Sequence, residues 1–221
     1  GKTIVSILSS ALAVGNNVQV ALMAPTEILA NQHYESFKME LSKARITCCL
    51  LVGKMKEKER RIIIDNIKIG KISVVIGTHA IIQDDVIFKN LGLVIIDEQH
   101  RFGVTQRNKL TKKGLNPHLL SMTATPIPRT LSITYMGDMD LSIIDELPKN
   151  RIPIKTKVIQ PSRLKKVYTF ICEQVKFGRQ CMIVYPLVEE SEKIDIAAAV
   201  DMYKKLKQNV FSELKIDVIH G

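Results

Sequence analysis

The sequence predicts an α/β fold with a doubly wound parallel sheet flanked by helices. Short apolar segments rich in β-branched residues alternate with longer amphipathic segments, as in repeated strand–helix units. The clearest of them, residues 93–96, is apolar at every position, which is typical of a strand buried on both faces. Two carboxylates, Asp97 and Glu98, follow it directly. Open α/β sheets bind their ligands at this end of the strands, so we expect a ligand site there.

The first two thirds of the chain contain five such apolar segments, with helices between them. The first helix is expected at residues 4–14, where apolar residues recur at helical spacing before a Gly-Asn-Asn turn. Thr26 is a suitable N-cap for a second helix that runs to about residue 41. A charged helix and a short polar helix come later. The predicted strands are residues 18–23, 48–52, 72–76 and 93–96, and a fifth that starts at residue 119.

The composition changes around residues 145–153, where two prolines and two cations indicate an interdomain linker. We therefore divide the chain into a first domain, residues 1–147, and a second α/β domain, residues 148–221. Both ends look cut, because the chain has no initiator Met and ends within a strand-to-turn pattern, so we expect both domains to be truncated. The elements expected in the second domain are strands at residues 154–159, 181–188 and 216–219 and helices at about 162–177 and 194–207.

The composition indicates a globular protein with a polyanionic partner. Hydrophobic residues make up 46% of the chain, and its longest nearly apolar segment is too short to span a bilayer, so we expect no membrane partner. The formal net charge is +10, and it is denser in residues 148–221, with 14 basic and 8 acidic side chains, than in residues 1–147, with 18 and 14. This balance favours nucleic acid. The four cysteines form no Cys-x-x-Cys pair, which favours buried reduced thiols and a cytosolic compartment.

Gly1, Lys2 and Thr3 match the last three residues of a phosphate-binding loop and precede the first predicted helix. In such a loop Lys2 would contact the β and γ phosphates of a nucleotide, and the Thr3 hydroxyl would ligate Mg²⁺. Asp97 would hold the same ion, and Glu98 would polarise the attacking water. Each signal has a simpler alternative, because a bare Gly-Lys-Thr occurs by chance and an Asp-Glu pair can be a solvated turn.

Hydroxyl-bearing residues stand at the carboxyl ends of three more predicted strands. They are Thr26, Thr78 (followed by His79) and the pair Thr123 and Thr125. Hydroxyls and helix N-termini can bind nucleic-acid phosphates without reading sequence. The alternatives are an ordinary N-cap for Thr26, a structural hydrogen bond for His79 and a strand-end turn for the threonine pair.

Taken in order, these segments resemble the motor of superfamily 2 helicases, and among them the RecG-type branched-DNA helicases. The likeness covers essentially the whole chain. The segments that carry it are Gly1-Lys2-Thr3, Ala24-Pro25-Thr26-Glu27-Ile28-Leu29-Ala30 with Gln32-His33, Gly77-Thr78-His79-Ala80-Ile81-Ile82-Gln83, Asp97-Glu98-Gln99-His100-Arg101-Phe102-Gly103-Val104, Thr123-Ala124-Thr125-Pro126-Ile127-Pro128-Arg129-Thr130, Gly137-Asp138-Met139-Asp140, Ile144-Asp145-Glu146-Leu147-Pro148 and Pro186-Leu187-Val188-Glu189-Glu190-Ser191-Glu192.

The resemblance implies a RecA-like first domain, a partial second one, and an ATP- and Mg²⁺-dependent motor that remodels forks and Holliday junctions in recombination and repair. It places the protein in the bacterial cytosol, at the nucleoid. The implied nucleotide, catalytic and metal residues are Gly1, Lys2, Thr3, Asp97 and Glu98. The implied coupling residues are Gln99, His100, Thr123 and Thr125. The implied DNA contacts are Thr26, Thr78, His79 and Arg129.

Two alternatives stay open at this point. The motor of the transcription-repair coupling factor shares several segments, but Gln99 and His100 after the acidic pair favour the RecG type. A non-catalytic module in which ATP only switches nucleic-acid affinity is disfavoured by Glu98, because such a switch needs no water-activating carboxylate. The chain also lacks most of the phosphate loop and the second-domain arginine fingers, so we expect these 221 residues alone to hydrolyse ATP poorly.

Overall fold

The computed structural model describes residues 1–124, 139–146, 152–184 and 192–219. The chain divides into two compact units, Gly1–Arg151 and Ile152–Gly221, and each is described by itself. The assignment of residues 1–147 and 148–221 to two helicase domains stays a prediction. Among the described residues, no helix is both long enough and apolar enough to cross a membrane.

The first unit contains a five-stranded sheet in which all neighbouring strands are parallel, in the order β2-β3-β1-β4-β5. The five strands expected from the sequence are all present, because their β-branched residues suit a pleated, buried surface. Their bounds are β1 Gln19–Met23, β2 Cys48–Leu51, β3 Val74–Gly77, β4 Leu91–Ile96 and β5 His118–Ser121.

Helices cover both faces of this sheet, and alternate residues of each central strand face opposite layers. In β1, Val20 and Leu22 belong to one apolar cluster, whereas Ala21 and Met23 belong to the other. The first cluster includes residues of the first two helices and the second includes residues of the next two. The α-helices in the described part of this unit are α1 Lys2–Gly15, α2 Glu27–Leu41, α3 Glu57–Lys68 and α4 Val104–Thr111.

The buried side chain of Gln19 ties together the segments at the amino end of β1. Its amide nitrogen donates to the carbonyl oxygens of Ile67 (3.0 Å) and Ile72 (2.8 Å). Its amide oxygen accepts from the backbone N–H groups of Lys89 (2.8 Å) and Asn90 (3.0 Å). All four bonds of the amide are therefore made to backbone groups, which anchors the end of α3 and the segment before β4 to β1.

The strands end almost level at their carboxyl ends. Met23 is in register with Gly77 of β3 and with Ile96 of β4, and Ile96 is in register with Ser121 of β5. Leu51 of β2 pairs with Gly77 in the same way. The residues that follow these five positions therefore emerge along one edge of the sheet.

The described residues of the second unit form two α-helices, α5 Leu164–Lys176 and α6 Glu192–Asn209, close to the helices expected from the sequence. The strands predicted at residues 154–159 and 216–219 are wrong, and residues 181–184 are not a strand either. Residues 185–188 of that prediction lie outside the described residues. A parallel strand is stabilised by hydrogen bonds to its neighbours, and the described part of this unit supplies no paired strand. The apolar side chains of Ile154, Val158 and Met182 are accordingly exposed.

The four cysteines are free, as expected from their spacing. Burial raises the pKa of the Cys48 thiol to about 11. It raises the pKa of the Cys49 thiol to about 12, with a smaller contribution from Cys48. The expectation of buried thiols is confirmed for Cys49 alone, because Cys48 and Cys172 are half-buried and Cys181 is exposed.

Candidate functional site

Most of the residues singled out from the sequence follow the level ends of the strands. Asp97 and Glu98 come directly after β4, and Thr78 and His79 directly after β3. Thr26 lies three residues beyond β1. Because the strands are parallel and in register, these residues share the carboxyl edge of the sheet, where the sequence placed a ligand site.

The carboxylate of Asp97 is buried and held from two sides. Its Oδ1 accepts a hydrogen bond from the Glu98 N–H (3.0 Å), and its Oδ2 lies 2.8 Å from Nε2 of His33. The Asp97 N–H donates to the carbonyl oxygen of Met23 at 3.0 Å, which fixes the residue to β1. Burial raises the pKa of Asp97, but the hydrogen bond and charge of His33, the Glu98 N–H and the charge of Lys2 together lower it below its ordinary 3.8. The group is therefore a carboxylate at neutral pH.

Glu98 has a left-handed backbone conformation, with φ 48° and ψ 54°. A residue with a Cβ rarely adopts this conformation, because the Cβ comes close to the following carbonyl oxygen. The turn directs the Glu98 carboxylate between two basic groups. Its Oε1 lies 3.9 Å from Nζ of Lys2, and its Oε2 lies 3.5 Å from Nδ1 of His100. Strained residues concentrate at functional sites, and this is one of four non-glycine residues with positive φ in the described chain.

Lys2 is the first residue of α1, and Gly1 is its N-cap. The Gly1 carbonyl oxygen accepts from the N–H groups of Ile4 (3.1 Å) and Val5 (3.5 Å), so the first turn is formed. No acidic residue occupies that turn and no side chain caps it, which leaves a helix N-terminus next to Lys2 suited to an anion. Thr3 follows in the same turn. The structure thus brings Lys2 to Glu98 across 95 intervening positions.

Thr26 is the N-cap of α2, and its hydroxyl accepts from the Leu29 N–H at 3.2 Å. The ordinary capping role is therefore present in the structure, and it is compatible with a contact to a phosphate.

Thr78 is held close to β2 because a glycine precedes it. A Cβ on Gly77 would lie 1.9 Å from the Leu51 carbonyl oxygen, so only glycine fits at this position. The Thr78 N–H donates to that same oxygen at 3.3 Å. Its buried hydroxyl has no hydrogen-bond partner among the described residues. His79 is exposed and begins a short 3-10 helix, His79–Ile82.

The predicted coupling residues connect β4 with β5 only in part. The N–H of Gln99 donates to the carbonyl oxygen of Met122 at 3.2 Å, and His100 pairs with Glu98. Thr123 is half-buried just beyond β5. Thr125 and Arg129 lie outside the described residues, so the structure does not test their positions.

His33 is the site residue that sequence reasoning overlooked. It appeared only as part of a matched segment, with no role. A signal was nevertheless present, because His33 lies on the same helical face as Ala30, Phe37 and Leu41, all of which are buried. A histidine on an apolar helix face needs a polar partner, and the structure identifies that partner as Asp97.

The residues of this edge fit Mg²⁺ held together with a nucleotide. Among the described residues, no group of three or more His, Cys, Asp or Glu side chains could hold a metal on its own. Mg²⁺ is usually bound by one or two carboxylates together with phosphate oxygens and waters, so a complete protein cage is not required. A carboxylate has about four acceptor positions, and Asp97 uses two of them, so acceptor capacity is left for an ion.

The family model of the DEAD/DEAH box helicases matches residues 1–134, which is more than half of the chain. The chain belongs to the DEAD/DEAH box helicase family. Its whole length also aligns with curated proteins named ATP-dependent DNA helicase RecG. The Aquifex aeolicus protein is 48% identical over 223 residues, and the Bacillus subtilis protein is 45% identical over 221 residues. The chain spans 28% and 32% of these relatives, respectively. The predicted resemblance to RecG-type helicases is thus confirmed.

Solved structures of helicases share this fold. A structure of RecG bound to a three-way DNA junction is 44% identical, with a TM-score of 0.75, and the match covers 96% of this chain and 27% of that one. A Saccharomyces cerevisiae Dbp5 variant bound to RNA and ADP BeF3 is 18% identical, with a TM-score of 0.63, over 94% of this chain and 54% of that one. The second match concerns the fold alone. The prediction of a RecA-like parallel sheet with flanking helices is confirmed.

Proposed function

We propose that this chain belongs to the motor of an ATP-dependent DNA helicase that remodels branched DNA. The observation that carries the proposal is the meeting of Lys2, Asp97 and Glu98 at one edge of a parallel sheet, in a chain that aligns over its whole length with RecG helicases. The chain spans under a third of those relatives, so the activity is proposed for the full-length gene product.

The nucleotide would lie at the amino end of α1. Lys2 would contact the β and γ phosphates, with Gly1 and Thr3 at the same turn and its N–H groups directed at the anion. Asp97, already ionised, and the Thr3 hydroxyl would hold Mg²⁺, which when bound would neutralise charge on the phosphates. Glu98 would orient the attacking water, and its side chain is only 24% exposed, which limits competition from solvent.

DNA would contact the same edge on the side of β1 and β3. Thr26 at the start of α2, and Thr78 and His79 after β3, offer hydroxyl, imidazole and backbone donors that suit phosphates and carry no sequence preference. Arg129 is proposed from the resemblance alone. The net charge of +10 supports a polyanionic partner. We place the protein in the bacterial cytosol, at the nucleoid.

Gln99 and His100 would couple the two sides, together with Thr123 and Thr125. Gln99 and His100 lie in the turn that follows Glu98, and the Gln99 N–H donates to the carbonyl oxygen of Met122, directly after β5. A change in the contacts of Glu98 during hydrolysis would therefore reach β5 through one short turn. His100 also pairs with the Glu98 carboxylate, so it would sense whether that group faces water or Lys2.

The test is ATP hydrolysis by the full-length gene product at fixed salt, with forked DNA, linear duplex of equal length, or no DNA. We expect strong stimulation by forks. Equal stimulation by fork and linear duplex would instead favour a general duplex translocase such as the transcription-repair coupling factor. Absence of hydrolysis under every condition would refute the motor and leave a nucleotide-switched binding module.

A single substitution separates hydrolysis from nucleotide binding. Glu98→Gln removes the proposed water-orienting carboxylate while keeping its size, so turnover should fall about 10²–10⁴-fold with ATP binding retained. Glu57→Gln is the matched control, because Glu57 is an exposed glutamate on α3 paired only with Arg61 among the described residues. We also expect the isolated 221-residue chain to hydrolyse ATP poorly, and rapid DNA-stimulated turnover by it would contradict that expectation.

A further inference from the structure

The Asp97 carboxylate is held by a helix that is remote in sequence. His33 lies on α2, and its Nε2 is 2.8 Å from Oδ2 of Asp97. The two side chains are 10% and 11% exposed, so water cannot readily replace either partner. The other described hydrogen bonds of Asp97 are made to backbone groups: its Oδ1 accepts from the Glu98 N–H, and its own N–H donates to the Met23 carbonyl oxygen. His33 is thus the one described side chain that fixes the direction of this carboxylate.

The helix that carries His33 is itself fixed. It packs against β2, β3 and α1, and the buried Ala30, Phe37 and Leu41 lie on the same face as His33. The Phe37 ring meets the imidazole edge-on, with centroids 6.3 Å apart and planes at 86°. The imidazole therefore has little freedom to rotate away, and it acts as a rigid support for the carboxylate.

We propose that His33 is a positioning residue, which holds the Asp97 carboxylate in the orientation that ligates Mg²⁺. The inference rests on the proposed function, because it concerns the metal that accompanies the nucleotide. In metal sites, groups that hydrogen-bond a ligating side chain set its orientation, and their removal typically weakens metal affinity about 10–100-fold. Without His33, the carboxylate could rotate about its side-chain torsions and would spend less time facing the ion.

The experiment measures metal binding directly in the full-length gene product. Binding of Mn²⁺ in the presence of saturating ADP is followed by electron paramagnetic resonance, and the Mg²⁺ requirement of ATP hydrolysis is measured in parallel. His33→Ala should raise the Mn²⁺ dissociation constant, and the Mg²⁺ concentration for half-maximal hydrolysis, about 10–100-fold. The affinity for ADP without metal should stay unchanged, since Lys2 and the α1 N-terminus are intact.

Two further variants separate positioning from general packing. His33→Gln places an amide N–H donor at a similar distance from the backbone, so it should recover most of the metal affinity. Leu41→Ala disturbs the same buried face about two helical turns from His33 and outside its ring contact with Phe37, so it should lower the melting temperature and leave the Mn²⁺ dissociation constant unchanged.

The outcomes are distinct. Unchanged metal affinity in His33→Ala, no recovery in His33→Gln, or an equal loss in Leu41→Ala would overturn the positioning role while wild-type binding stands. If the wild-type protein bound no Mn²⁺ with ADP and hydrolysed no ATP, the proposed function itself would fail. Weakened metal binding in His33→Ala, recovered binding in His33→Gln and unchanged binding in Leu41→Ala would support the inference.

Discussion

The left-handed backbone at Glu98 predicts an unusual order of stabilities for substitutions at that position. Both Glu98→Ala and Glu98→Gly remove the carboxylate and its pairs with Lys2 and His100, so those losses cancel when the two variants are compared. At φ 48° a Cβ costs about 1–2 kcal/mol, and Ala retains that cost whereas Gly does not. Gly loses about 0.5–1 kcal/mol more than Ala through backbone freedom in the unfolded chain.

The difference leaves Glu98→Gly more stable than Glu98→Ala by about 0.5–1 kcal/mol. Urea unfolding followed by circular dichroism would show it as a higher midpoint, by about 0.3–0.5 M for a denaturant dependence near 2 kcal/mol/M. Glu35 supplies the matched control, because it is an exposed glutamate in the middle of α2. There the order should reverse, with the Ala variant about 1 kcal/mol more stable than the Gly variant.

If Glu98→Ala were as stable as Glu98→Gly, the backbone would not be strained in the folded protein, and the reasoning would be refuted. Both variants should lose ATP turnover, since neither has the carboxylate. A Gly variant that is more stable than Ala and yet inactive would show that the turn is maintained for the placement of the side chain and not for the fold.

Three other predictions follow from single contacts. Gln19→Leu should lower the free energy of unfolding by about 3 kcal/mol, because four backbone groups lose their hydrogen-bond partner. Urea unfolding measures this loss, and a loss under about 1 kcal/mol would contradict the role of that amide. The pKa of the Cys49 thiol is raised to about 12, so at pH 8 this thiol should react with a thiol reagent far more slowly than the exposed Cys181. Unfolding the protein should remove the difference. Equal rates in the native state would contradict the burial of Cys49. The pKa of Asp97 is lowered in the folded protein, so its charge stabilises the fold above pH 3.8, and this contribution is lost as the pH falls through the folded pKa. The free energy of unfolding should therefore depend less steeply on pH in the acid range in Asp97→Asn than in wild type. Identical profiles for the two proteins would refute the shift.

The sheet was predictable from the sequence because each of its strands is a short apolar segment that can be recognised from its own residues. Residues 93–96 are apolar at every position, and such a segment has few alternatives to a buried strand once helical patterns flank it. The order of the strands follows less directly, but right-handed crossovers and parallel pairing leave few arrangements. The same local reasoning failed at residues 154–159, where an apolar pattern without a paired neighbour stays exposed and irregular. Strand formation there depends on partners that local sequence does not contain.

The candidate site was predictable where motif and position agree, as for Lys2, Asp97 and Glu98. Two features of the site were not predictable from the sequence. The conformation of Glu98 depends on how the chain turns from β4 towards β5, and glutamate gives no sign of a positive φ. The contact between His33 and Asp97 joins residues 64 positions apart, and a buried histidine has many possible partners. Both features become visible only once β1, β4 and α2 are assembled.

The level strand ends have a consequence for how nucleotide and DNA contacts influence each other. The proposed catalytic residues Asp97 and Glu98 follow β4, and the proposed DNA residues follow β1 and β3. Strand β1 lies between β4 and β3, at the usual spacing of about 4.8 Å from each. Asp97 is bonded to Met23 of β1 and to His33 of α2, and α2 begins at Thr26. A close-packed interior resists local deformation, so these groups move together when they move at all. If the full-length protein hydrolyses ATP at this edge, as proposed, the motion that follows would not come from bending this sheet. We expect that motion where hydrogen bonds are few, as in the turn Gln99–Arg101. Among the described residues, one backbone hydrogen bond joins Gln99 of this turn to Met122, the residue after β5.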